Sequence, residues 1–81
     1  MLFRSLEETP VYTVQVGSFA RERNASTLVN RLKRLSYDAY LEKDPIQNKC
    51  RVRVGRLQSR TEAEGLESKL RREGYPTKIY P

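Results

Sequence analysis

The side chains that could do chemistry in this chain are cations, amides and rings, spaced at every second position of short alternating runs. In Cys50-Arg51-Val52-Arg53-Val54-Gly55 two arginines alternate with apolar residues, so an extended backbone would set both guanidiniums on one face. Forked donors of this kind bind carboxylates through bidentate, charge-assisted hydrogen bonds. Gln15, in the run Val11–Val16, can both donate to and accept from an amide. By the same alternation Thr13, Gly17 and Gly55 share its outward parity, as do Tyr40, Glu42, Lys78 and Tyr80 on their own runs. The set is cationic and aromatic, with Glu42 its one strand carboxylate.

The residues that are missing exclude much. The chain has no His and one Cys, Cys50, so an intrachain disulfide, the usual metal-ligand clusters and His-dependent catalysis are unavailable. A single outward carboxylate leaves two-carboxylate glycosidase chemistry without its second partner. No enzymatic activity, no cofactor and no metal are expected. The net charge of +6 favours anionic partners: nucleic acid, an acidic membrane surface, or a carboxylate-bearing polymer. No run approaches the ~18 apolar residues of a membrane span, and the first ten residues lack the apolar centre of a signal peptide. The reading is a leader or linker over 1–10 and one domain over 11–81. It is either a cytosolic protein or a piece of a longer exported chain.

The elements that position these residues come in two copies. Val14-Gln15-Val16-Gly17-Ser18-Phe19 returns 38 residues later as Val52-Arg53-Val54-Gly55-Arg56-Leu57, and the same offset pairs Ala25 with Ala63, Leu32 with Leu70 and Tyr37 with Tyr75. Val11–Val16 reads as a strand and Gly17 as its exit into a loop. Asn24 is a candidate cap for a helix from Ala25 to about Leu35, with Ala25, Leu28, Leu32 and Leu35 as its apolar stripe. Tyr37–Lys43 and Cys50–Val54 read as a hairpin across Asp44-Pro45 and Asn48. Thr61 and Glu64 fit a capping box for a second helix that stops at Gly74, and Thr77–Tyr80 is the last strand. Gly65, inside that helix, suits close packing.

Two β-α-β units joined by a hairpin predict an α+β, ferredoxin-like (RNP-like) βαββαβ fold, with a four-stranded antiparallel sheet and both helices on one face. Strands one and three should be central. The outward residues would then share the open face.

Val14 to Phe19, then Asn24-Ala25, then Arg51-Val52-Arg53-Val54-Gly55 resemble the SPOR (sporulation-related repeat) domain over about Tyr12 to Tyr80. The resemblance implies a non-catalytic module of the bacterial cell envelope (periplasm) that binds peptidoglycan glycan strands. It further implies a preference for septal strands denuded of stem peptides, and a place as the C-terminal part of a larger exported cell-division or wall-remodelling protein. The family's contact residues fall on Gln15, Ser18 and Arg51, with Tyr40, Arg53, Lys78 and Tyr80 added from the outward set. Ser18 has inward parity, so its role requires the strand to end by Gly17. Where the family has Tyr, then Pro and Phe, this chain has Cys50, then Arg56 and Leu57, and packing changes are expected there. A monomer is expected, with no nucleic acid and no direct membrane contact, although the parent protein could be anchored. The rival is an RRM-like domain for single-stranded RNA; the third strand lacks the outward aromatics that such domains stack on bases.

Overall fold

A computed structural model describes residues 11–81; the leader proposed over 1–10 lies outside them. The element order is β1 (Tyr12–Phe19), α1 (Glu22–Arg34), β2 (Ala39–Asp44), β3 (Lys49–Leu57), α2 (Arg60–Arg72) and β4 (Lys78–Tyr80). The strands form one antiparallel sheet in the order β2-β3-β1-β4, so the repeated strands β1 and β3 are central. Apolar residues of both helices, among them Ala25, Val29, Leu32, Ala63 and Leu70, join Val14, Val16, Val52 and Val54 in one buried cluster. Both helices therefore pack on the same side, and the βαββαβ, α+β reading stands. Among the described residues no helix is long and apolar enough to cross a membrane.

The strand edges and caps move by a few residues. α1 begins at Glu22, and Asn24 lies inside its first turn; Arg21, extended at φ −110 and ψ 130, is the cap, without a side-chain bond. The reason is β1, which runs on to Phe19 and leaves two residues before the helix. Val29, not Leu35, completes the buried stripe, because Leu35 is the C-cap and is 47% exposed. The second helix is capped by Ser59, whose Oγ accepts from the Glu62 N–H at 3.2 Å, while Glu62 Oε1 accepts from the Gln58 N–H. The box thus sits two residues before Thr61 and Glu64, since Ser59 is the residue with extended backbone after β3. A Cβ added to Gly65 would meet nothing within 4 Å, so no close packing requires a glycine there.

Both helices end in the same motif, which carries the internal repeat into the backbone. Tyr37 N–H bonds to Leu32 C=O and Ser36 N–H to Lys33 C=O; 38 residues on, Tyr75 bonds to Leu70 and Gly74 to Arg71. These are Schellman closures, and each needs a left-handed residue. Gly74 adopts φ 96 freely, whereas Ser36 is held at φ 71.

Two bulges set which side chains reach the open face. Gln15 pairs with Arg53 but Gly17 pairs with Val52, so β1 carries an extra residue at Val16. Tyr12 pairs with Leu57 and Val14 with Val54, so β3 carries an extra residue around Gly55. Gly17 and Gly55 are consequently inward, not outward. A Cβ on Gly17 would lie 3.5 Å from Leu28 of α1, and one on Gly55, at φ 81, would lie 2.9 Å from Leu66 of α2.

Candidate functional site

The open face is built from the strands outward. Tyr40 stands opposite Arg53 and Glu42 opposite Arg51 in the β2–β3 hairpin, while Thr13 stands opposite Tyr80 and Gln15 opposite Lys78 on the other side. Strand parity thus brings Gln15, Tyr40, Arg51, Arg53, Lys78 and Tyr80 to one surface. Ser18 joins them by a route that alternation alone does not give: the strand continues past Gly17, and the bulge at Val16 reverses its parity. Ser18 then pairs with Arg51.

Arg51 is fixed at the hairpin end. Its Nη2 lies 3.0 Å from Asp44 Oδ2 and donates to Gln47 Oε1 at 3.2 Å. Asp44 Oδ1 meanwhile accepts from the Ile46 N–H at 2.9 Å and the Gln47 N–H at 3.2 Å, an Asx turn. The Gln47 N–H is the largest influence holding the Asp44 carboxyl below its ordinary value; burial opposes it, and Ile46 and Arg51 add smaller effects in the same direction as Gln47. Asp44 lies on the same side of β2 as Glu42, so the face has a second strand carboxylate. It is committed to the turn in its charged form, which does not suit a general acid.

Each tyrosine of the face carries a cation. The Arg53 guanidinium lies 4.8 Å from the centre of the Tyr80 ring, and Lys78 Nζ 5.4 Å from the same ring. Arg56 lies 4.8 Å from the centre of the Tyr40 ring, and the Tyr40 hydroxyl donates to Gly55 C=O at 3.2 Å. Arg56 is the functional-face residue that alternation missed. The signal was present in the repeat, because Arg56 is the counterpart of Ser18 and follows a bulge glycine as Ser18 does. Arg53 Nε approaches Glu42 Oε1 to 3.1 Å, a close ionic contact too misaligned to be a hydrogen bond.

Shallow hollows flank this surface. One of about 220 Å³ is lined by Gln15, Gly17, Pro76, Thr77 and Lys78, and one of about 160 Å³ by Glu42, Lys43, Asp44, Pro45 and Arg51. They lie at opposite sides of a sheet whose centre holds the Arg53–Tyr80 stack. Both hollows are open to solvent, and neither is a closed pocket. Among the described residues no cluster of three or more His, Cys, Asp or Glu could hold a metal ion.

No curated protein matches the chain in sequence. In structure it is similar to the peptidoglycan binding domain of the B. subtilis cell wall lytic enzyme CwlC, with a TM-score of 0.77, 21% identity and 86% of each chain covered. At that identity the likeness is one of fold. The family model of the SPOR domain matches residues 8–80, nearly the whole chain, and the chain belongs to the SPOR domain family.

Proposed function

We propose that this domain is a non-catalytic module that binds peptidoglycan glycan strands along the open face of its sheet, with a preference for strands denuded of stem peptides. By that preference it would bring a larger envelope protein in the periplasm to the division septum, acting as a monomer. The observation that carries the reading is the gathering of Gln15, Ser18, Arg51, Arg53, Arg56 and Lys78 on the one sheet face left uncovered by the helices. Family membership and the fold shared with a peptidoglycan binding domain support it.

The chemistry fits a denuded strand. Removing the stem peptide frees a lactyl carboxylate on alternate sugars, and guanidiniums bind carboxylates bidentately. Gln15 suits the acetamido groups. Tyr40 and Tyr80 could take sugar faces once their stacked arginines move onto carboxylates. The RNA reading is disfavoured by β3, whose outward positions Arg51 and Arg53 provide no aromatic platform.

The test is cosedimentation of the domain with sacculi, untreated or stripped of stem peptides by an amidase. Stripped sacculi should retain more, and Gln15→Ala should reduce that retention. Equal retention on both, or on neither, defeats the preference or the binding respectively.

A further inference from the structure

Three buried side-chain atoms of the open face have no hydrogen-bond partner among the described residues: Thr13 Oγ1 and Gln15 Oε1 on β1, and Arg53 Nε on the neighbouring strand. Thr13 is 7% exposed, although it stands on the face that no helix covers. Its cover comes from the neighbouring strands. Tyr80 is its partner on β4, and Arg53 is the partner of Gln15 on β3, so their 4.8 Å contact bridges over β1 between these two residues. A buried polar atom without a partner is costly, and a native structure that keeps two side by side calls for an explanation.

The cover is lightly held. Arg53 Nε lacks an aligned hydrogen bond to Glu42, so a misaligned ionic contact at 3.1 Å and the stack on Tyr80 hold the guanidinium. A guanidinium on a ring exchanges readily for a carboxylate, which offers it two charge-assisted bonds.

We propose that Arg53 and Tyr80 form a lid over a slot made by Thr13 and Gln15, and that the slot takes the acetamido group of an N-acetyl sugar when the lid parts. This rests on the glycan reading and makes Thr13 a specificity-determining residue. A secondary amide presents one N–H and one C=O. A hydroxyl beside a carboxamide can answer both, so one ligand group satisfies both orphaned atoms of β1. In a denuded muramic residue the acetamido and lactyl groups sit on adjacent ring carbons. The same sugar therefore supplies the carboxylate that draws Arg53 off Tyr80 and the amide that fills the space beneath.

The experiment compares wild type, Thr13→Val and Thr13→Ser on three preparations of denuded glycan: native, chemically N-deacetylated and re-acetylated. Valine keeps the shape and removes the hydroxyl. Wild type should prefer native and re-acetylated strands over deacetylated ones. Thr13→Val should bind native strands about fivefold more weakly, a loss typical of one hydrogen bond, and its acetyl preference should shrink by the same factor. Bulk repulsion of the exposed amines cancels in that ratio. Thr13→Ser should keep the preference, and the Tm of Thr13→Val should equal or exceed that of wild type. An unchanged acetyl preference in Thr13→Val overturns the slot while leaving glycan binding intact. A lowered Tm also overturns it, because the hydroxyl would then have an internal partner. Loss of wild-type binding to all three preparations defeats the glycan reading itself.

Discussion

Ser18 and Arg51 face each other as cross-strand partners on the two central strands, and they do so because β1 carries one more residue than β3 at Val16. Without that bulge Ser18 would point into the core. Gly17 borders that bulge, and its absent side chain leaves room for Phe19 and Leu28: a Cβ there would lie 2.8 Å from Phe19 Cε2. Gly17→Val should cost about 1–3 kcal/mol through overpacking, read as a lower urea midpoint, and should weaken glycan retention by displacing Ser18. Retention at wild-type level in a folded Gly17→Val would show that Ser18 placement does not matter.

Arg51 separates recognition by shape from recognition by charge. Arg51→Lys keeps the charge and loses the planar fork, so binding to denuded glycan should fall severalfold. Arg34→Glu, at the end of α1 on the opposite side of the sheet, should change binding little, because screening at 0.15 M salt extends only about 8 Å. Affinities of the two variants at low and physiological salt are the measurement. An equal loss in both would mean that the basic charge acts in bulk.

Asp44 ties the hairpin to pH. Its folded carboxyl titrates below the ordinary value because the Gln47 and Ile46 amides and Arg51 favour the charged form. A depressed folded value means that the contribution is fully present above the ordinary carboxyl range and is lost as pH falls through the lower, folded value. Acidification below about pH 4 should therefore destabilise wild type more than Asp44→Asn, which keeps an acceptor for the turn amides but has no charge to lose. Urea midpoints of the two proteins across that range decide it, and parallel acid limbs would refute it.

The helix glycine and the helix-end serine are both improvable. Gly65→Ala fills open space in a helix interior and should stabilise by about 0.5–1 kcal/mol. Ser36→Gly removes a side chain from a φ of 71 at a Schellman closure whose counterpart is already Gly74, and should stabilise by up to about 1 kcal/mol. Thermal midpoints of the single variants test each. A lower midpoint for Ser36→Gly would mean that the serine side chain offsets its backbone strain.

The fold, the sheet order and most of the open face are legible in the residues alone. A 38-residue repeat of alternating and helical periods admits few arrangements; period-2 alternation places Gln15, Tyr40, Arg51 and Arg53 locally, and the repeat, which sets Ile79 in the place of Leu41, places Lys78 and Tyr80. The stop at Gly74 is legible too, because that motif is local. The facing of Gly17, Ser18 and Gly55 follows instead from how the strands pair in space. A bulge is a relation between two strands, and one extra residue on one of them reverses every parity beyond it. Partners were likewise beyond the alternation: Arg51 with Asp44, Arg56 with Tyr40, and Arg53 with Tyr80 across an intervening strand. Long side chains reach over neighbouring strands, so what covers Thr13 depends on sheet order and register together, and no single stretch of sequence encodes both.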